Sequence, residues 1–133
     1  MAKENPALTI NIDDSGGSAR DISNDVLSCD FATPRPQQDV TGVDKSAVER
    51  LLLLADFSAT FNGSFNDAAN ASHDVFKTVP STSEGRTTSI ALSGQTLAVE
   101  AFPTDYQITR QTTGEVAWTV PMVLQDGSVP TWA

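Results

Sequence analysis

Phe57-Ser58-Ala59-Thr60-Phe61-Asn62-Gly63-Ser64-Phe65 decides the fold class of this 133-residue chain. Phe57, Ala59, Phe61 and Phe65 alternate with Ser58, Thr60, Asn62 and Ser64. Side chains on a β-strand point to opposite faces in turn. The stretch therefore presents one aromatic, apolar face and one small polar face, which is a half-buried strand.

Upstream, Leu8, Ile10 and Ile12 alternate with Thr9 and Asn11, and Asp13-Asp14-Ser15-Gly16-Gly17 turns the chain. Residues 1–6 read as a mobile start. Ile22 to Phe31 reads as a second strand, with Val26 and Leu27 among polar partners, although its alternation breaks twice. Residues 32–46 hold two prolines, a glycine and few large apolar groups, and predict a long loop of the kind that is functional or disordered. Ser46 to Asp56 admits two readings. Val48, Leu51, Leu52 and Ala55 fit a helical face, while Leu51 to Leu54 fits the buried start of a strand.

Downstream, Asn66-Asp67 offers an N-cap and Ala68, Ala69 and Ala71 favour helix. Ala68, Ser72, Val75 and Phe76 form an apolar stripe, Lys77 suits a last turn and Pro80 is a stop, so a helix is predicted near 67–77. A polar connection follows at 81–86. Arg86 to Ser93, carrying Ile90 and Leu92, turns at Gly94-Gln95 into a hairpin partner. Residues 96–110 read as one long strand with Leu97, Val99 and Ala101 on one face and a bulge or bend at Pro103; Tyr106 and Ile108 resume the alternation. After Thr112-Thr113-Gly114, Val116, Trp118, Val120 and Met122 alternate with Glu115, Ala117, Thr119 and Pro121. Asp126 to Ala133 reads as an extended tail carrying Trp132. Six or seven strands and one helix, with no helical crossover among the last three strands, predict a mainly β protein. The expected architecture is a single domain over 1–133: an antiparallel β-sandwich or barrel with one flanking helix, a long loop and extended terminal arms.

Eight Lys plus Arg stand against 17 Asp plus Glu, a formal charge of -9. That balance argues against a generic nucleic-acid binder and against an anionic membrane surface. No run of 18 apolar residues is present, and the start lacks the apolar core of a secretory signal. Cys29 and His73 are single, so an intramolecular disulfide is excluded and a zinc site of the usual kind nearly so. His73 reads as a helix-surface residue and Cys29, between Ser28 and Asp30, as a small core or interface residue. Asp13-Asp14 before Gly16-Gly17 lacks the rest of a calcium loop, and Gly16-Gly17-Ser18 lacks the Gly-Lys-Ser/Thr of a phosphate loop. Asn62-Gly63-Ser64 and Asn70-Ala71-Ser72 match the glycosylation sequon, unused without a signal peptide. No carboxylate pair is singled out. The expectation is a non-enzymatic building block with no cofactor and no metal.

Asp39-Val40-Thr41-Gly42-Val43-Asp44-Lys45-Ser46 leads into Arg50-Leu51-Leu52-Leu53-Leu54-Ala55-Asp56, then into Phe57-Ser58-Ala59-Thr60-Phe61-Asn62-Gly63-Ser64-Phe65-Asn66-Asp67 and a helix ending in Val75-Phe76. With Thr104-Asp105-Tyr106-Gln107-Ile108-Thr109, Val116-Ala117-Trp118-Thr119-Val120 and the ending Asp126-Gly127-Ser128-Val129-Pro130-Thr131-Trp132, this resembles the major tail tube proteins of long-tailed, siphovirus-type bacteriophages over roughly residues 8–132. The resemblance implies ring-forming subunits, usually hexamers, that self-assemble into a stacked tube and serve DNA ejection. The inner sheets of neighbours join around a channel through which DNA passes without specific binding. It implies tape measure, terminator and distal tail partners, no membrane, and a place in the virion tail after assembly in the bacterial host cytoplasm. Channel-facing candidates are Ser58, Thr60, Asn62, Gln107, Thr109, Glu115 and Thr119. Inter-subunit or inter-ring candidates are Pro34, Arg35, Gln37, Asp39, Thr41, Asp44, Lys45 and Trp132. The alternatives are another virion sandwich, such as a tail terminator or capsid decoration protein, and a carbohydrate-binding or adhesion module. The latter is disfavoured because Trp118 sits at a core position and leaves only Trp132 free.

Overall fold

In the computed structural model, residues 8–81, 85–125 and 127–133 are described. The expected mobile start, residues 82–84 of the polar connection and Asp126 of the tail lie outside them. The described elements, in chain order, are β1 (Leu8–Asp13), β2 (Ala19–Asp21), β3 (Val26–Ala32), β4 (Gln37–Asp39), β5 (Arg50–Leu52), β6 (Ser58–Ser64), α1 (Ser72–Phe76), β7 (Arg86–Leu92), β8 (Gln95–Pro103), β9 (Gln107–Arg110), β10 (Val116–Leu124) and β11 (Thr131–Trp132). Nine strands form one antiparallel path, β2-β1-β7-β8-β10-β6-β3, with β11 alongside β8 and β9 alongside β10; β4 and β5 pair separately.

The path has two layers that meet at a corner. One layer is β2-β1-β7-β8-β11 and the other is β3-β6-β10-β9. Only Met122–Leu124 of β10 reach Ala101–Pro103 of β8, while Val116–Thr119 on the same edge pair with β9. Opposite the corner, Phe31 of β3 meets Trp132 of β11 with ring centroids 6.1 Å apart. The sandwich is thus bridged by side chains there and is not a closed barrel.

Period-two alternation supplies the core. Ile10, Ile12, Ile90, Leu97, Val99 and Ala101 face inward from one layer, and Ala59, Phe61, Trp118, Val120 and Met122 from the other. Burial of this continuous apolar set is the main stabilising term. The helix wedges between the layers. The Phe76 ring lies 5.4 Å from Trp118, while the Val75 carbonyl accepts a hydrogen bond from Arg86 at the start of β7. Arg86 is fully buried, and also donates to the Asp13 carbonyl at 3.3 Å and to Thr78 Oγ1 at 3.2 Å. Such bonds are what make a buried guanidinium tolerable.

Several expectations need correction. The helix does not span 67–77; it has five residues. Asn70 takes a left-handed φ of 63°, which breaks any helix begun earlier, and the Ala68 N–H turns back onto Asn66 Oδ1 at 3.0 Å. Ala68 is exposed and leaves the stripe. The 32–46 stretch is not structureless: β4 pairs with β5, with Gln37 opposite Leu52 and Asp39 opposite Arg50. The Leu51–Leu54 run is neither helix nor buried strand but an exposed arm of that hairpin. The strand expected at Ile22–Phe31 begins only at Val26, because Asp25 N–H donates to the Ile22 carbonyl in a turn; a bulge at Leu27 explains the broken alternation. Residues 96–110 form two strands, β8 and β9, and the tail contributes β11. The described residues therefore hold eleven strands. Phe65 lies beyond β6 and stacks on His73 at 4.8 Å.

Candidate functional site

Two surfaces stand out. The first is the outward face of β3-β6-β10-β9. Phe61, Gly63, Trp118 and Val120 take the inward positions, so alternation puts Ser58, Thr60, Asn62 and Thr119 outward. The register aligns them. Ser28, Asn62, Thr119 and Gln107 fall in one row across four strands. Asn62 Nδ2 donates to Ser28 Oγ at 3.3 Å, and Thr119 Oγ1 donates to Asn62 Oδ1 at 2.8 Å. Thr60 faces Asp30 and Pro121, Ser58 faces Ala32 and Val123, and Thr109 faces Ala117. Six of the seven channel-facing candidates thus share one face. Glu115 lies one residue before β10, where its carbonyl accepts from Gln111 N–H at 2.8 Å and continues the β9–β10 register beyond the strand ends. The face mixes hydroxyls and amides with the apolar Ala32, Ala117, Pro121 and Val123, and Asp30 is the one charged side chain at an outward strand position.

The second surface is the excursion between β3 and β6. Pro34, Arg35, Gln37, Asp39, Thr41, Asp44 and Lys45 all lie on it and are all exposed. Asp39 Oδ1 accepts from the Thr41 hydroxyl at 2.6 Å and from Thr41 N–H at 2.9 Å. The hydroxyl in turn accepts from Glu49 N–H at 2.7 Å, which ties the two hairpin arms. These bonds, the Thr41 hydroxyl first, hold the Asp39 carboxyl below the usual range. Arg35 Nε donates to the Leu53 carbonyl at 3.0 Å and fixes the base of the hairpin. Trp132 is half-exposed, far along the chain, on β11.

Sequence reasoning missed the leucines here. A hollow of about 620 Å³ is lined by Arg35, Leu52, Leu53, Leu54, Ala55 and Val129. Leu54 is 87 % exposed. Consecutive leucines in an extended arm put apolar groups on both of its faces, and among the described residues no further sheet pairs with or covers this hairpin. Four leucines between two polar loops were the available signal, but the same run also suits a core.

His73 is not a bare helix-surface residue. It is half-buried, with Nδ1 3.1 Å from the Tyr106 hydroxyl and its ring between Phe65 and Tyr106. Burial pushes the Tyr106 hydroxyl up. Cys29 packs half-buried against the core, and burial, then the Asp30 charge, raise its thiol. No group of three metal-ligating side chains occurs among the described residues, nor any helix long and apolar enough to cross a membrane.

No family model matches the sequence, and no curated protein matches it. The fold does have solved counterparts. A chain in the virion of a native gene transfer agent particle superposes with a TM-score of 0.79 at 15% identity, covering 99% of this chain and 99% of that one. A chain in the tail of an empty gene transfer agent particle, of C6 symmetry, gives 0.75 at 16% identity over 95% and 93%. A chain in the six-fold symmetrised baseplate of the anti-feeding prophage gives 0.69 at 13% identity over 100% and 96%. This chain shares its fold with components of virion, tail and baseplate assemblies.

Proposed function

We propose that this chain is a structural, non-enzymatic subunit of a siphovirus-type phage tail tube, a single domain over 1–133 that closes into hexameric rings and stacks into a hollow tube. The observation that carries the reading is the β3-β6-β10-β9 layer. Among the described residues both of its edges, β3 and β9, are unpaired. Unpaired strand edges template further pairing. Alternating antiparallel neighbours make β3 and β9 run in opposite directions, so the β3 edge of one copy continues the β9 edge of the next in the same antiparallel pattern. A head-to-tail contact of this kind generates a ring when its rotation closes.

Ring closure would turn the row Ser28, Asn62, Thr119 and Gln107, with Ser58, Thr60 and Thr109, toward the channel. With no Lys or Arg at an outward strand position, this face offers DNA phosphates no cationic anchor, and the net charge of -9 repels them. Such a lining suits passage of DNA without specific binding, the role of a tube through which DNA is ejected. The hairpin, with its exposed leucines, would join successive rings, and Trp132 would lie near the same joints. Tape measure, terminator and distal tail proteins are the partners at the lumen and ends. The chain would sit in the virion tail and assemble in the host cytoplasm.

Negative-stain electron microscopy across a concentration series tests this. Regular hollow tubes are the expected result. Isolated single rings would move the assignment to a tail terminator. Monomers at every concentration, also in the presence of preformed tail tips, would sink the tube reading and favour a capsid decoration protein or a glycan-binding module.

A further inference from the structure

The two free edges carry features that match each other. Beside β9 lies a hollow of about 310 Å³ whose lining includes Val79, Pro80, Tyr106 and Ile108 together with the polar His73, Lys77 and Asp105. Ile108 is 46 % exposed although it takes an inward register position. At the other edge the β3 bulge pushes Leu27 out of the strand pattern, and it is 69 % exposed. Both stand at one level of the sheet. Ile108 pairs with Trp118, Trp118 with Gly63, and Gly63 with Val26, the residue before Leu27.

Charge follows the same arrangement. Arg110, at the end of β9, is exposed and has no ion pair among the described residues. Its row runs through Val116, whose carbonyl accepts from Phe65 N–H; the neighbouring Ser64 N–H donates to the Asp25 carbonyl, at the end of the turn that leads from β2 into β3. Asp21, the last residue of β2 and so on the other layer, leads into that turn; it is exposed, its carboxylate accepts from Ser23, and it has no ion pair among the described residues.

We propose that the hollow beside β9 is a socket for a second copy of this chain: Leu27 of one subunit seats against Ile108 and Tyr106 of the next, with Arg110 opposite the neighbour's Asp21. This deepens the ring reading and rests on it. It gives the seam a side-chain lock in addition to backbone pairing, and one that fixes register, because a slip of one residue would move Leu27 off the hollow.

The test uses the variant Leu27→Cys with Ile108→Cys in a Cys29→Ser background. Within one subunit the two positions are three strand spacings apart, about 14 Å. That exceeds the span of about 7 Å that a disulfide bridges, so any bond forms between copies. Mild oxidation should give a ladder of covalent oligomers ending at the ring size. Tubes without a ladder would overturn the socket and leave the ring reading standing; neither tubes nor ladder would overturn both. Charge reversal is the second arm. Arg110→Asp should raise the concentration for half-assembly about tenfold, since like charges then face each other, and Asp21→Arg in the same chain should restore it. Unchanged assembly of Arg110→Asp would remove the charged half of the lock.

Discussion

The indole of Trp118 lies directly against the backbone of Gly63, its partner one strand away. A β-carbon at position 63 would stand 2.6 Å from Trp118 Cζ2 and would also collide with the Asp25 carbonyl oxygen. The indole Nε1 donates to the Ser64 carbonyl at 2.8 Å, so the ring cannot swing aside without losing that bond. Gly63→Ala should therefore cost about 3 kcal/mol, as overpacked cores do. Urea unfolding followed by Trp fluorescence reads this as a lower midpoint with an unchanged slope.

Asp25 holds the start of the helix from outside it. One carboxylate oxygen accepts from Ser72 N–H at 3.0 Å and the other from Asn66 Nδ2 at 2.9 Å. Asp25→Ala leaves both donors unmet next to the core and should destabilise by about 2 kcal/mol. Asp25→Asn keeps one acceptor and should fall between that variant and the parent in the same unfolding experiment.

Leu53 and Leu54 separate assembly from folding. Both are exposed and belong to none of the core-forming strands. Leu53→Glu with Leu54→Glu should leave the melting temperature within about 2 °C, as surface substitutions do. Stacking should fail, because charge then replaces the apolar joint. Electron micrographs should show rings without tubes.

Asp14 gives the sandwich an acid-side dependence. Its carboxylate accepts from Ser18 N–H at 3.0 Å and Gly16 N–H at 2.9 Å and pairs with Arg20 at 3.1 Å. The Ser18 bond is the largest cause holding this carboxyl below its ordinary value. A depressed carboxylate stabilises fully above the unfolded pKa of about 3.9, and the contribution disappears as pH falls through the folded value. Asp14→Asn should therefore melt lower than the parent at about pH 6, and the gap should narrow on acidification. Calorimetry at the two ends of that range checks it.

The sequence was most legible where one face of a strand meets the core and the other meets water. Alternation located β6, β7 and β10, and Gly94, at a φ of 90°, marked the β7–β8 turn. The polar face was legible for the same reason, since Ser58, Thr60 and Asn62 keep strict parity with Phe57, Ala59 and Phe61. The shared row with Gln107 and Thr119 was not, because it depends on which strands become neighbours. The helix was overextended because alanine propensity at 68–71 is a weak term. It yields to Asp25, which fixes the first helical N–H at Ser72, and to Phe76, which must reach Trp118. The leucine run misled because hydrophobicity says that a residue avoids water, not whether its own chain or another copy provides the shelter.

The corner strand β10 has a consequence for synthesis. β1 near the amino end must wait for β7, and β6 must wait for β10, which also ties the layers together. Pairings so distant in sequence form late, because the entropy of closing the intervening chain has to be met before the contacts that reward it. The layer that carries the β3 and β9 edges is therefore incomplete until β10 has been made, and a seam between copies belongs to the finished sheet and not to its first hairpins.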